Sequence, residues 1–373
     1  MNQSSTWSHT GYAQRIHFGD GAVATVNDVV REVGGRRVLL ITTKGRLASE
    51  AGEDLVRRLG RTLSTTYDGV RSHVPTDTVQ AALGLARDRD VDCIVSFGGG
   101  SCADLGKAVS FFVEQEAGTP GASYVDRPVL PHVSIPTTYS GAELTPFFGM
   151  TDEATRRKSG GGGPTTAPLA AIYDPVLTTD TPARVSAETG MNCLAHGVEA
   201  AYSPARTPEA EALALGCVER VAAALPLVVD APDELAPRRV MLEGAVLGGR
   251  CLQNASMGVH HGLAQLLGGR TGLAHGLANA LLLAPAMRYN ADAVPRAMSR
   301  LAAALGAGGD GDAAGAVDAL RERLGLPGRL SDAGVTEDDV EAVARMAEGN
   351  ASVRNNPRPV TEADALELLE SIF

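Results

Sequence analysis

A predicted strand, a glycine-rich turn and a predicted helix follow one another near residue 98, and they constrain the fold more than any other stretch. The apolar run 93–97 predicts a buried strand, and apolar residues resume at helical spacing from Leu105. Between them lies Gly98–Ser101, where glycines let backbone N–H groups approach a ligand and the helix start adds unpaired donors. The stretch matches neither GxGxxG nor the P-loop pattern. It predicts a phosphate-binding turn, although a tight turn without a ligand would also need glycines.

Short apolar runs alternate with helical patterns through the first half of the chain. Strands are predicted at 38–41, 93–97, 133–135 and 169–173, and helices at 47–59, 76–86 and 102–113. This alternation predicts a parallel sheet covered by helices on both faces, which binds ligands beyond the carboxyl ends of its strands. Thr43 and the stretch 135–141 share that edge with the glycine turn, so Thr43 and Gly98 are candidate cofactor contacts. No acidic residue follows the first strand to hold a ribose hydroxyl, which leaves NADH and NADPH open.

From residue 181 the strand signal ends, and long alanine- and leucine-rich stretches follow. They predict helices at 183–202, 208–229, 238–255, 275–289, 295–305, 313–324, 337–347 and 361–372. We therefore expect a Rossmann-like α/β nucleotide-binding domain at 1–175 and an all-helical domain at 176–373. The glycine-rich segment 160–168, preceded by the basic run 156–158, is interpreted as a solvated surface loop.

The charge balance and the cysteines narrow the partners and the compartment. With 33 basic and 44 acidic residues, the 373-residue chain has a net charge of −11, which disfavours nucleic acid and anionic membranes. Five scattered cysteines without a CxxC pair are typical of reduced thiols in a cytoplasmic protein. The N-terminus lacks a signal-peptide pattern, and no apolar run is expected to be long enough to span a bilayer. We expect a cytoplasmic protein that acts on a small molecule.

Polar residues at helical spacing interrupt the apolar helical half. Asn192 and His196 stand four residues apart and share a helix face, as do His261 and Gln265, and His275 opens the next helix. Three histidines among apolar neighbours point to divalent-metal binding or to acid–base chemistry. Each histidine taken singly also fits a core position with satisfied hydrogen bonds.

Several ordered motifs resemble the iron-containing alcohol dehydrogenase family, and within it the maleylacetate reductases. They run through nearly the whole chain and comprise GGGSCADLGK, IPTTYSGAE, RRK, GMNCLAHGVEAAYS, HHGLAQLLGGRTGLAHGLANALL and NNPRP. The resemblance implies the fold of dehydroquinate synthases and iron-containing alcohol dehydrogenases, with an active site in the cleft between the two domains, and a homodimer. It also implies that NADH or NADPH contacts Gly99, Gly100, Ser101, Asp104, Thr137, Thr138 and Lys158.

Metal-dependent members of that family bind iron or zinc through Asp-x-x-x-His and two further histidines. This chain has His196, His261 and His275 at the matching positions but Asn192 in place of the carboxylate, and a neutral amide is a weak ligand. Maleylacetate reductases similarly carry asparagine there, so the resemblance favours metal-free chemistry, with iron or zinc on three imidazoles as the alternative. Gln265 stands where the family usually has histidine. Glutamine cannot exchange a proton near neutral pH, so this residue argues against the family's standard substrate.

The resemblance implies hydride transfer from NADH or NADPH to an enone that carries carboxylates, as in the reduction of maleylacetate to 3-oxoadipate. A hydrogen-bond donor must stabilise the developing oxyanion, and His196, His261 and His275 are the candidates. His260 or Tyr139 would then deliver the proton to the adjacent carbon.

Other residues and other functions stay open at this stage. Arg157, Lys158 and Arg270 are candidates to bind the substrate carboxylates, because cationic side chains fix such groups. The alternative functions are a metal-dependent alcohol or carbonyl dehydrogenase, an NAD-dependent lyase or cyclase, and a cofactor-binding protein without catalysis. Aromatic degradation and secondary metabolism would fit equally.

Overall fold

The computed structural model describes residues 11–118, 128–153, 157–308 and 311–373, with the backbone alone at Arg157 and Lys158. The described chain separates into two compact units, one ending at Thr181 and the other beginning at Pro182. The first unit continues past the expected boundary at 175, because the 3-10 turn Pro175–Thr178 follows directly on its last strand.

The first unit is an α/β unit. Its strands are β1 (Arg15–Phe18), β2 (Val38–Ile41), β3 (Leu63–Tyr67), β4 (Cys93–Gly98), β5 (His132–Pro136), β6 (Phe147–Asp152), β7 (Arg157–Gly162) and β8 (Ala170–Tyr173). Its helices are α1 (Val26–Glu32), α2 (Lys44–Leu47), α3 (Glu50–Leu59), α4 (Thr76–Asp88) and α5 (Gly100–Glu116). Six strands form a parallel sheet in the order β1-β8-β5-β4-β2-β3, and β6 pairs with β7 in a separate antiparallel hairpin. The predicted parallel sheet is confirmed.

Alternating strand residues build a hydrophobic core on each face of this sheet. Val38, Leu40 and Val95 belong to one core with side chains of α1 and α3. Leu39 and Ile94 belong to the opposite core with side chains of α4 and α5. Since both faces are covered, the inner strands β2, β4, β5 and β8 are buried at every position and mostly apolar, which is the pattern expected of a buried parallel sheet.

Part of the segment expected to be a surface loop is a strand. β7 pairs with β6 in a register that sets Phe148 opposite Gly161 and ends at Gly162. A Cβ at Gly160 would lie 2.5 Å from the Phe148 carbonyl oxygen, so glycine permits this close pairing. The loop interpretation was therefore wrong for 160–162, and Pro164–Thr166 forms a 3-10 turn. Arg156 lies outside the described residues.

The second unit is helical, and its described residues, 182–308 and 311–373, contain no strand. Its helices are α6 (Ala183–Tyr202), α7 (Pro208–Asp230), α8 (Leu235–Asn254), α9 (Val259–Thr271), α10 (His275–Asn290), α11 (Pro295–Ala304), α12 (Ala313–Arg323), α13 (Glu337–Ala347), α14 (Ala351–Arg354) and α15 (Glu362–Glu370). The predicted all-helical second half is confirmed.

α6 lies at the centre of this unit and packs against α7, α8 and α10. Small residues allow the close approach, because a Cβ at Gly197 would lie 3.0 Å from the Ala214 carbonyl oxygen of α7. The second half of α6 is consequently buried throughout. Any polar side chain on that half must find its partners inside the protein.

α7 is long and apolar enough to cross a membrane by length and composition, with a mean hydropathy of 1.9 over its best window. The expectation that no apolar run reaches this length was therefore wrong. Core helices pass the same test, and α7 packs along α6 and α8 with Ala214, Val218 and Val221 fully buried.

All five cysteines lie among the described residues as buried thiols, and none of them forms a disulfide. The Sγ atoms of Cys193 and Cys217 are 3.9 Å apart. Burial raises the pKa of the Cys102 thiol to about 12, so this group at the start of α5 is uncharged.

Candidate active site

α5 begins at the predicted glycine turn with uncapped N–H groups. Its N-cap residue is Gly99, no side chain hydrogen-bonds to its first turn, and this 17-residue helix directs the positive end of its dipole there. Gly98 has a φ of 145°, which favours glycine. A Cβ on Gly99 would lie 3.2 Å from Thr138, and one on Gly100 would lie 2.9 Å from Ser140 Oγ. Within the part of the chain that the structure describes, the hydroxyls of Thr138 and Ser140 are buried without a hydrogen-bond partner. They and the helix start therefore form a cradle for an anion such as a pyrophosphate.

This cradle lies at the switch point of the sheet. β2 and β4 are neighbours, but the chain leaves β2 toward β3 on one side and β4 toward β5 on the other. Open α/β sheets bind their ligands at such a point, beyond the carboxyl ends of the strands. Thr43 follows β2 at this position, and its hydroxyl accepts the Arg46 backbone N–H at 3.2 Å as the cap of α2.

Other predicted cofactor contacts have structural partners. Asp104 Oδ1 lies 2.7 Å from Nζ of the buried Lys107, which also donates to two backbone carbonyls after β5. Thr137 donates its backbone N–H to the Gly98 carbonyl oxygen at 2.9 Å and so ties the segment after β5 to the glycine turn. Lys158 lies in β7, where the backbone alone is described.

Three helices bring the predicted histidines together in the second unit. α6 carries Asn192 and His196, α9 carries His261, and α10 begins with His275. The rings of His196 and His261 stack with centroids 4.9 Å apart, and the ring centroid of His275 lies 6.3 Å from that of His261. Asn192, His196 and His261 are buried, and His275 is half-buried. The helical unit therefore holds a compact group of three imidazoles and one amide.

A buried glutamate lies behind this group. Oε1 of Glu199 accepts the backbone N–H groups of Gly258 at 3.0 Å and His260 at 3.2 Å. Oε2 accepts the backbone N–H of His261 at 3.3 Å and its ring Nδ1–H at 2.5 Å. Burial alone would raise the pKa of Glu199, but the imidazoles of His260 and His261 beside the carboxylate hold that pKa below its ordinary value. Glu199 is therefore ionised.

His260 has no ring nitrogen available to a substrate. It is fully buried, and its Nε2 lies 2.9 Å from the Asn279 carbonyl oxygen, which can only accept a hydrogen bond. Nε2 therefore carries the proton. Nδ1 lies 3.1 Å from Nδ1 of His261 and 3.6 Å from Oε2 of Glu199, so it also faces groups of the protein. The structure thus removes His260 from the predicted proton donors.

Burial lowers the pKa of both His196 and His261. For His196 the nearby imidazoles, His261 foremost, lower the pKa further. For His261 the carboxylate of Glu199 acts in the opposite direction without restoring the ordinary value. Both rings are therefore neutral near pH 7.

Three buried polar atoms of the group have no hydrogen-bond partner among the described residues: Asn192 Oδ1, His196 Nδ1 and His261 Nε2. Buried polar atoms normally have partners, so a ligand, a water or an ion belongs here. The imidazole nitrogens of His196, His261 and His275 are ligands that suit zinc or iron(II). The amide oxygen of Asn192 would add no negative charge to such a site.

A second metal-capable group, Glu199 with His260 and His261, has ligand atoms within 4.8 Å of one another. Its hydrogen bonds leave no room for an ion, because four N–H donors occupy the two carboxylate oxygens and Asn279 occupies His260 Nε2. This group is a hydrogen-bond network that supports His261.

Further predicted residues are exposed, already paired or buried within the α/β unit. Gln265 is exposed on α9, one turn beyond His261. Arg270 Nε lies 2.8 Å from Asp339 Oδ1 at the surface, so its guanidinium is already paired. Tyr139 is buried in the α/β unit, on the segment after β5.

Three residues of these sites were not singled out from the sequence. Glu199 is a single acidic residue in an alanine- and leucine-rich stretch, three positions after His196, and that isolation is a signal of a buried partner. Ser140 lies in the motif that predicted Thr138. Asn356, in the NNPRP motif, accepts the Val259 N–H at 3.2 Å at the start of α9.

A parallel sheet with an anion cradle at its switch point, and a helical unit with clustered imidazoles, define a dinucleotide-binding oxidoreductase. Residues 13–175 match the iron-containing alcohol dehydrogenase family, and residues 186–373 match the C-terminal part of the Fe-containing alcohol dehydrogenase family. The chain belongs to the iron-containing alcohol dehydrogenase family, as the sequence motifs predicted.

Similar proteins include maleylacetate reductases. The maleylacetate reductase of Sphingobium indicum is 34% identical over 355 residues, which cover 95% of this chain and 94% of that protein. The crystal structure of maleylacetate reductase from Rhizobium sp. strain MTP-10005 is 32% identical, with a TM-score of 0.87 over 99% of both chains. The sulfoacetaldehyde reductase of Bifidobacterium kashiwanohense, solved in complex with NAD+, is 25% identical, with a TM-score of 0.89 over 99% of both chains.

Proposed function

We propose that this protein uses NADH or NADPH to reduce the carbon–carbon double bond of an unsaturated keto acid, as in maleylacetate to 3-oxoadipate, without a metal. The observation that carries the proposal is the amide of Asn192 beside the imidazoles of His196 and His261. A carboxylate there would only accept hydrogen bonds, whereas an amide also donates them. Similarity to maleylacetate reductases over nearly the whole chain supports the same substrate class.

The reaction needs donors at the ketone oxygen of the enone. A bound reduced nicotinamide supplies a hydride to the double-bond carbon β to the ketone, and negative charge then moves onto the ketone oxygen. Asn192 donates to that oxygen through its amide. His196 does so through its ring, because a neutral imidazole still carries one N–H. His261 Nε2 directs a lone pair toward Asn192 and His196, so His261 accepts a hydrogen bond there. Tyr139 stays the candidate that delivers the proton to the carbon next to the ketone.

The second candidate is a metal-dependent alcohol or carbonyl dehydrogenase. The unpartnered nitrogens of His196 and His261 favour it, since they and His275 are ligands that zinc and iron(II) prefer. Such an ion, held by these three residues with Asn192, would polarise a substrate carbonyl. Metal analysis of protein purified without chelator separates the two proposals. Stoichiometric iron or zinc, with activity lost on chelation, would support the dehydrogenase.

A steady-state screen tests the main proposal. Maleylacetate and simple aldehydes are offered with NADH and with NADPH to the wild type and to Gln265→His, and the absorbance of the reduced cofactor is followed. We expect cofactor oxidation with maleylacetate to exceed that with aldehydes in the wild type. A large gain on maleylacetate in Gln265→His alone would instead indicate another native acceptor. Turnover without net oxidation would indicate a lyase.

A further inference from the structure

We propose that Glu199 is a positioning residue, which keeps the proton of His261 on Nδ1 so that Nε2 presents a lone pair beside His196 and Asn192. The inference rests on the proposed function only in assuming that His261 meets the substrate. It concerns a residue that does not itself belong to the imidazole group, and it assigns Glu199 a role through His261.

Four N–H donors surround the carboxylate of Glu199. Each oxygen of Glu199 accepts two hydrogen bonds, and three of the four donors are backbone N–H groups of Gly258, His260 and His261. The fourth is the ring Nδ1–H of His261 at 2.5 Å. A carboxylate is the side chain that accepts at both of its atoms, so glutamate fits this position and glutamine does not.

His260 also contacts the ring of His261. Its Nε2 donates to the Asn279 carbonyl oxygen, so its Nδ1 carries a lone pair that faces His261 Nδ1 at 3.1 Å. If the proton of His261 moved to Nε2, two lone pairs would face each other, and one oxygen of Glu199 would lose its shortest hydrogen bond. Both neighbours therefore select the same tautomer.

The start of α9 stabilises a charged group at this position. Glu199 and Asn356 together accept the N–H groups of the N-cap residue Gly258 and of the first three residues of α9, Val259 to His261. The positive end of the helix dipole lies at the same place. A Cβ at Gly258 would lie 2.9 Å from Glu199 Oε1, so glycine permits this contact. The NNPRP motif thus completes the cap that anchors His261.

The substitution Glu199→Gln makes a definite prediction about the proton. The amide oxygen is expected to accept the backbone N–H groups of Gly258 and His260, because the opposite orientation would set the NH2 against two fixed donors instead of against the His261 N–H alone. The amide NH2 then faces Nδ1 of His261 at the shorter contact, 2.5 Å, whereas the His260 lone pair lies 3.1 Å away. We expect the nearer donor to decide the tautomer, so His261 carries its proton on Nε2 instead. The variant therefore presents an N–H where the wild type presents a lone pair.

The test is nitrogen NMR of the full-length protein with 15N-labelled histidine, with the His261 signals identified as those lost in His261→Asn. We expect an Nδ1-protonated pattern and a strongly downfield Nδ1 proton in the wild type, and an Nε2-protonated pattern in Glu199→Gln. Glu188→Gln, on the same helix but paired with Arg184, is the matched control and should leave the pattern unchanged. In Glu199→Gln, kcat should fall about 10- to 100-fold with little change in NADH binding.

An Nε2-protonated His261 in the wild type would overturn the proposal without any variant, so poor folding of Glu199→Gln does not protect it. An unchanged tautomer in a folded Glu199→Gln would overturn it as well. If the wild type shows the expected pattern but does not reduce maleylacetate, the proposed function fails and the positioning role stands.

Discussion

His132, at the start of β5, is a histidine kept neutral by its surroundings. Its Nε2 lies 2.7 Å from Ser96 Oγ, and Gly106 of α5 makes room for the ring, because a Cβ there would lie 2.6 Å from it. Burial, with the nearby charge of Lys107, lowers the pKa of His132 to about 3 from its ordinary 6.5. Between these two values the unfolded chain binds a proton that the folded chain does not.

Stability should therefore rise with pH in this window and level off above about pH 6.5. We predict that from pH 7 to pH 5 the wild type loses about 2 kcal/mol more unfolding free energy than His132→Gln does. Urea unfolding of both proteins at the two pH values measures the difference. Parallel pH dependences would show that His132 is not held neutral.

In the proposed function, Asn192 is the residue that favours metal-free over metal-dependent chemistry. The change Asn192→Asp replaces a donor-capable amide by an anionic ligand next to His196 and His261. We predict stoichiometric zinc retention after dialysis and a fall in kcat for maleylacetate of about tenfold or more, because one hydrogen bond to the oxyanion is lost. Gln265→Glu, which adds the same charge at an exposed site, is the control. Unchanged metal content with full activity would contradict the assigned role.

The sequence reveals the histidines but not the proton on each. Helical spacing set Asn192 with His196 and His261 with Gln265 on shared helix faces; Asn192, His196 and His261 are buried, and Gln265 is exposed. The proton on His261 depends on Glu199 and on the start of α9, whose partners are brought together by folding. The spacing of residues along one helix does not predict contacts with distant parts of the chain.

At the scale of elements, the strands differ in how well the sequence predicts them. β2, β4, β5 and β8 are buried along their whole length and appear as apolar runs. β1 and β3 form the two edges of the sheet, are at most half-buried, and include polar residues such as those of LSTTY. An edge strand lacks the continuous apolar run, so both were missed.

The start of α5 gives the prediction that belongs to this scale. Gly100→Ala places a Cβ 2.9 Å from Ser140 Oγ in the cradle, while alanine itself favours the helix. We predict that the dissociation constant for NADH rises about tenfold or more, at a cost of about 1.4 kcal/mol, with little loss of thermal stability. Gly84→Ala in α4, where a Cβ meets open space, is the control. Equal NADH affinity in both variants would exclude the cradle as the phosphate site.

At the scale of the whole molecule, one polypeptide supplies two chemistries from two units. The α/β unit carries an anion cradle at its switch point, and the helical unit carries neutral imidazoles supported by a buried carboxylate. The net charge of −11 means that any attraction for an anionic substrate comes from local groups such as the helix start and the N–H donors. The structure of the reduced product is therefore the measurement that depends on the groups of both units.

The most direct measurement follows deuterium from C4 of the labelled reduced nicotinamide into the product of maleylacetate turnover. The account predicts deuterium on the former double-bond carbon β to the ketone, one label per cofactor oxidised, as read by NMR of 3-oxoadipate. The cofactor carries deuterium at both C4 positions, so one deuteron must leave with each hydride. Deuterium on a new carbinol carbon would show carbonyl reduction instead, and a cofactor that keeps both deuterons would show that no hydride reaches the substrate; either result would contradict the account.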